Sequence, residues 1–386
     1  MSVRMSDVAE LAGVSTQTVS RVLRGEQWVA AETAQRVRQA MESLGYRGNE
    51  LAGALKRGHS RTLGLLFPLH TMSIWSDVAE GVEALTHENG YSLLLCDTSE
   101  SVEKEAENLA LLLRHRVAGI IYVEPRCRPS THPACAALVA SKLPVVVISA
   151  EQNDLPFVHM RTDDERAGYV AVRHLLDLGR RAVCVVANGV RDSGGVEVES
   201  LVPTAHVQDR IRGAMRALEE ESGDKGSARL IIVPNTVEGG REAGSTLLHS
   251  GSPLPDAIFA TTDAVALGIL DVLRSDGVRV PEDIAVAAHD GLFASSVSVP
   301  ALTTIVPPMI AMGRATVELL LRVMKGERPP AHNVLDARFM VRESTIGLGR
   351  AARQGFANPL SESQAWRSWR AQSHEATIEH NMVCQV

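Results

Sequence analysis

No C-x-x-C pair occurs in the 386 residues, and the five cysteines (Cys96, Cys127, Cys135, Cys184 and Cys384) are scattered and odd in number. That usage predicts buried or idle free thiols in a reducing compartment. No apolar run approaches the length of a membrane span, and the opening MSVRMSDVAE has no apolar core of a signal peptide. A soluble, cytoplasmic protein without a membrane partner is expected. G-x-x-x-x-G-K-[ST] is absent, as is a convincing dinucleotide fingerprint. DSGG at 192–195 has the composition of a serine-protease nucleophile loop, but no His and Asp can be placed with it, so it reads as a loop. His374 and His380 lie six apart and miss H-E-x-x-H. With no convergent nucleophile, base or metal set, no catalytic residue, metal or cofactor is expected, and no enzyme.

What is present begins with a charge asymmetry. The net charge is −7, yet residues 1–61 hold nine Lys or Arg against six Asp or Glu, a surplus of three, which leaves −10 on the remainder. A basic head on an acidic body suits a head that meets a polyanion.

The head reads as three short helices. The first covers roughly 6–12, with Val8, Leu11 and Ala12 on one side, and Gly13 supplies a turn. Ser15 is placed to cap the second, roughly 16–24. There Val14, Val19, Val22 and Leu23 share one face, and Thr16, Gln17, Ser20 and Arg21 the other. The third runs from about 31 to 44 on the stripe Val37, Ala40, Met41 and Leu44, with Gly45 as its stop. Helix, tight turn and a second helix with short polar outer residues make a helix-turn-helix. In a major groove Gln17 can pair bidentately with adenine and Arg21 with guanine, while Thr16 offers a hydroxyl or a methyl. Ser15 and Ser20 are candidates for phosphate contacts. An ordinary amphipathic surface helix is the alternative for these nine residues taken alone.

From residue 62 short apolar runs alternate with amphipathic segments. The runs are 62–67, 91–97, 118–123, 144–149, 182–187, 229–233, 257–261 and 284–290; helical stretches fall at 76–88, 102–115, 165–178, 207–221, 239–249, 264–275 and 309–325. Strands spaced by helices predict parallel sheets with right-handed crossovers. Eight strands exceed one ordinary open sheet, so two doubly wound α/β lobes are expected, the segment near 150–162 passing between them. A small molecule would sit in the cleft, beyond the strands' C-terminal ends. Residues 349–386 lose the pattern and carry no leucine heptad, which predicts a poorly ordered extension.

DVAELAGVSTQTVSRVL (7–23) and RVRQAMESLGYRGNELAGAL (36–55) closely resemble the DNA-binding head of the lactose-repressor/galactose-repressor (LacI/GalR) family. The resemblance continues through GIIYVEP (119–125), DRIRGAMRAL (209–218), ATTDAVALGILDVL (260–273), GVRVPEDIAVAAHDG (277–291) and PALTTIVPP (300–308). It implies a helix-turn-helix head at 1–48, a hinge at 49–61, and a core at 62–348 shaped like periplasmic binding proteins. Lobe 1 would take about 62–160 and 307–332, and lobe 2 about 161–306 and 333–348. It further implies a transcriptional regulator, usually a repressor, acting as a homodimer or higher oligomer on a pseudo-palindromic duplex operator. Operator affinity would answer to a small metabolite, of the sugar or sugar-acid class, held between the lobes. The competing readings are a sugar-binding or transport module without a DNA role, and an α/β enzyme.

By motif position the resemblance makes Thr16 and Gln17 the principal base readers with Arg21 in support, and adds Ser15, Ser20, Arg24 and Tyr46 as contacts. Asn49, Ala52 and Leu55 match the family's hinge helix, whose leucine wedges into the minor groove. Gly53 costs such a helix about 1 kcal/mol relative to Ala, which predicts a hinge that is helical only on DNA. In the cleft, Arg210 and Asp290 match a ligand-binding arginine and aspartate, and Thr262 stands where Asn is common. Phe67, His70 and Trp75 are candidates for an apolar wall, core packing being equally open for Phe67. Without the resemblance, Arg210 would read as a solvent-exposed helix charge and Asp290 as a loop cap. The chain departs from the family pattern at Arg24, Trp28, Ala30 (which removes an expected Ser or Thr cap), His289 and Gly291, and in a long 191–206 segment.

Overall fold

The computed structural model describes residues 3–23, 28–46, 60–69, 74–99, 101–130, 132–148, 155–191, 201–222 and 229–347. The chain divides into two compact units, Met1–Arg61 and Thr62–Val386. The hinge positions Asn49, Ala52 and Leu55, together with Arg24, His70 and the 349–386 extension, lie outside the described residues.

In the first unit α1 (Met5–Ala12), α2 (Thr16–Leu23) and α3 (Ala31–Ser43) close around Val8, Ala9, Ala12, Val19, Val37 and Ala40. Gly13, at φ 64, turns the chain after α1 in the left-handed conformation that a side chain resists. Leu11 does not join this core; it is 57% exposed, and Ala9 is buried in its stead. The stripe Val8, Ala9 and Ala12 is centred about 100° around the helix from Leu11.

In the second unit the first sheet is wholly parallel, in the order β12 (His332–Leu335), β5 (Val158–Thr162), β4 (Val145–Ile148), β3 (Gly119–Val123), β1 (Thr62–Phe67), β2 (Ser92–Asp97). Helices α4 (Trp75–Glu88) and α12 (Met309–Met324) bury one face; α5 (Val102–Arg114) and α6 (Pro133–Ala140) bury the other. The second sheet runs β13 (Arg338–Met340), β11 (Thr303–Val306), β10 (Ala285–His289), β9 (Ala257–Ala260), β6 (Val183–Arg191), with β8 (Arg229–Pro234) also beside β6. It lies between α7 (Asp164–Asp177) with α8 (Ala205–Ser222) and α9 (Val237–His249) with α10 (Asp263–Ser275). Two strands break the parallel rule: β13 pairs antiparallel with β11, and β7 (Leu201–Val202) pairs antiparallel with the end of β6. Two short helices, α11 (Phe293–Val297) and α13 (Glu343–Ile346), complete it.

The chain passes between the sheets three times: after β5, between β11 and α12, and between β12 and β13. The expected passage at 150–162 and the lobe limits at 160/161 and 332/333 are therefore displaced, because β5 and β12 pair with each other in the first sheet. The expected eight strands become thirteen among the described residues. Of those missed, β7 and β13 are only two and three residues long, and β5, β11 and β12 bury polar residues: in β11, Thr303 Oγ1 meets Thr345 Oγ1 at 2.8 Å, and Thr304 Oγ1 donates to Asp263 at 2.6 Å.

Candidate functional site

In the head, Ser15 Oγ accepts the backbone N–H of Thr18 at 3.2 Å, so it caps α2 and holds the turn rigid. Val19 anchors the helix in the core, and Val22 and Leu23 pack beside it. Thr16, Gln17 and Arg21 are exposed together on the opposite face, Ser20 is half-buried, and Tyr46 packs against the head's core. Ala30 precedes α3 without a side-chain cap, as its methyl requires. Trp28 stands 89% exposed in the connection between α2 and α3.

In the core, the parallel strands bring their C-terminal ends toward the passages between the sheets. Here two non-glycine residues adopt positive φ: Glu124 (φ 47) directly after β3, and Asp290 (φ 131) directly after β10. Such backbone costs free energy and is held by its surroundings. Glu124 N–H bonds Ile148 O at 2.8 Å, and Asp290 N–H bonds Ile305 O at 2.9 Å.

Helices α7 and α8 supply the rest. A Cβ on Gly168 would lie 2.0 Å from Arg210 O, and one on Gly213 would lie 1.8 Å from Glu165 O. These two glycines let the helices touch backbone to backbone, which brings Asp164 at the start of α7 to Arg210 on α8. Arg210 is 4% exposed. Its Nε donates to Asp164 at 2.8 Å, and its Nη1 donates to Thr261 O at 2.8 Å and to Asp290 at 3.5 Å. One turn earlier on α8, His206 Nδ1 lies 2.9 Å from Glu124 Oε2, joining the second lobe to the first.

These groups border a cavity of about 20 Å³, with Trp75, Ile148, Met309 and Met312 as apolar walls and Glu124, Asp164, His206 and Arg210 as charged or ionisable ones. Burial works to raise the Asp164 carboxyl, but the Arg210 guanidinium, by its charge and its hydrogen bond, outweighs it and holds Asp164 below the usual range. Burial works to lower His206, and Glu124 outweighs it, so His206 is raised. His289, wholly buried beside Arg210, is pushed well down and is neutral. Its Nδ1 meets Asp290 at 3.1 Å, while Nε2 is buried with no hydrogen-bond partner among the described residues. Burial raises both Asp290 and its neighbour Asp263.

Of the expected set, the structure places Arg210 and Trp75 on the cavity wall and Asp290 against Arg210, off the wall itself. Neither an exposed charge nor a mere loop cap describes Arg210 and Asp290. Phe67 belongs instead to the core of the first sheet, 5% exposed. Thr262 is not a wall of the cavity; its hydroxyl donates to Asn235 Oδ1 at 2.9 Å. Sequence reasoning missed Glu124, Asp164 and His206. Glu124 stands inside the quoted GIIYVEP, and Asp164 and His206 open helices, where a charged residue ordinarily faces water.

The model for bacterial regulatory proteins of the lacI family matches residues 4–49, and that for a periplasmic binding protein-like domain matches 172–345. The chain is 31% identical over 329 residues to the HTH-type transcriptional repressor PurR of Vibrio cholerae, covering 83% of this chain and 91% of that protein. Among solved structures, the lac repressor dimer bound to operator and the anti-inducer ONPF superposes with a TM-score of 0.76 at 24% identity, over 90% of this chain and 100% of that one. The transcriptional regulator CelR in complex with cellobiose gives 0.62 at 26% identity, over 89% and 100%.

Proposed function

Because this chain belongs to the lacI family of bacterial regulatory proteins, we propose that it represses transcription from an operator read by α2, under control of a sugar-class metabolite held between its two sheets. Thr16 and Gln17 meet base edges in the major groove, with Arg21 in support. Ser20, Arg24 and Tyr46 contact the backbone, while Ser15 acts chiefly through its cap. Asn49, Ala52 and Leu55 form the minor-groove element. Two copies bind a pseudo-palindromic site in the bacterial cytoplasm. Phe293, Val297 and Val299, which are 82%, 62% and 79% exposed, offer apolar surface for a second copy to cover.

The observation that carries the effector half is the Asp164–Arg210–Asp290 cluster beside a cavity lined from both lobes. Carboxylates accept from hydroxyls, guanidinium donates to them, and Trp75 gives the apolar face that a sugar ring needs. A ligand that binds one arrangement of the lobes better shifts operator affinity by linkage, typically by 1–3 kcal/mol. The test is a mobility shift on the chain's own and neighbouring promoters, across salt concentrations, with and without sugars. Sequence-selective binding altered by one sugar supports the reading. Binding that is only nonspecific and steeply salt-dependent refutes it. A transport module without a DNA role would bind no duplex at all.

A further inference from the structure

We propose that the cavity between the sheets selects uncharged or amino-bearing polyols and rejects sugar acids and sugar phosphates, with Glu124 and His206 as the specificity-determining pair. The proposal rests on the reading of this cavity as the effector site.

The cavity holds about 20 Å³, against roughly 300 Å³ or more for occupied small-molecule sites. Entry of a sugar ring must therefore part the lobes, and it does so where Glu124 of one meets His206 of the other at 2.9 Å. Whatever enters has to satisfy these two half-buried groups, or leave a charge unpaired in a poorly solvated site.

Arg210 cannot serve as a fresh anion receptor. Its Nε is committed to Asp164 and its Nη1 to Thr261 O and Asp290. Nη2 makes no hydrogen bond to the described residues and can donate to a neutral oxygen. Among the described residues three carboxylates, Glu124, Asp164 and Asp290, thus share two cationic partners, Arg210 and His206, with the neutral His289 beside Asp164 and Asp290.

Ligand chemistries then divide. A hydroxyl donates to Glu124 while another oxygen accepts from His206 or Arg210 Nη2. An ammonium pairs with Glu124 outright. A carboxylate or phosphate that takes His206 strips Glu124 of its partner and places two like charges side by side, with Asp164 close behind.

The test is titration calorimetry on the full-length protein with matched sets of hexoses and pentoses: the neutral sugar, its 2-amino form, its uronate and its terminal phosphate. At least one neutral or amino compound should bind, and its uronate and phosphate should bind at least about tenfold more weakly. In Glu124→Gln, which keeps shape and removes the charge, that gap should narrow to about threefold or less. A uronate or phosphate that binds wild type as tightly as its neutral counterpart overturns the charge selection and leaves the effector site standing. A gap unchanged in Glu124→Gln overturns the role of that residue. Silence from every compound overturns the effector reading itself.

Discussion

His206 Nδ1 and Glu124 Oε2 lie 2.9 Å apart, one at the first turn of α8 and the other just past β3, so a single contact spans two sheets that fold around separate cores. Its strength depends on a proton. His206 is raised because Glu124 outweighs burial. A histidine raised in the folded state stabilises fully below its unfolded value of about 6.5, and that contribution disappears as pH climbs through the folded value. Wild type should therefore lose its advantage over His206→Gln as pH rises from 6 toward 9, measured as the difference between their melting temperatures. A difference independent of pH would show that the ion pair contributes nothing.

Arg210→Ala removes the guanidinium that bridges Asp164 and Asp290 and leaves both carboxylates buried without it. A loss of about 3–5 kcal/mol in urea unfolding is expected. Arg210→Lys should recover less than half, since an ammonium cannot hold Asp164 and Thr261 O at once with planar geometry.

Gly213→Ala tests the contact between α7 and α8. Its methyl would sit 1.8 Å from Glu165 O, so the helices must separate. A destabilisation of about 1–3 kcal/mol is expected, together with weaker binding of any cavity ligand, because Arg210 rides on the displaced helix. Calorimetry on the same variant checks both.

On the head, Gln17→Ala should relax base preference at one operator position by about 1–3 kcal/mol without lowering the melting temperature, since Gln17 is exposed. Val19→Ala should do the reverse, because Val19 is fully buried. Binding to a set of single-base operator variants, beside melting curves, separates the two.

The long helices were legible to within one or two residues because their apolar faces are continuous, and three of them also open on a side-chain cap; Asp163, for instance, accepts the N–H of Arg166 at 2.9 Å. The strands β5, β11 and β12 were not. Each contains polar side chains whose partners come from elsewhere: Asn333 donates to His159 O at 3.1 Å across 174 residues, and Thr304 reaches Asp263 across 41. Hydropathy cannot register a polar residue made acceptable by so distant a partner. The cavity was legible at Arg210, where a family motif marks it, and at Trp75 as an apolar wall. Glu124 and His206 escaped because nothing local distinguishes a charge that will face the other lobe from one that will face water.

The three passages between the sheets also fix an order of events during synthesis. The first sheet lacks its outermost strand, β12, and the α12 side of its hydrophobic sandwich until residues 309–335 have been made, by which time all but the last strand of the second sheet already exists. A ribosome that halts near residue 308 would release the second lobe nearly whole and the first with β5 as a raw edge, open to pairing with any other nascent chain.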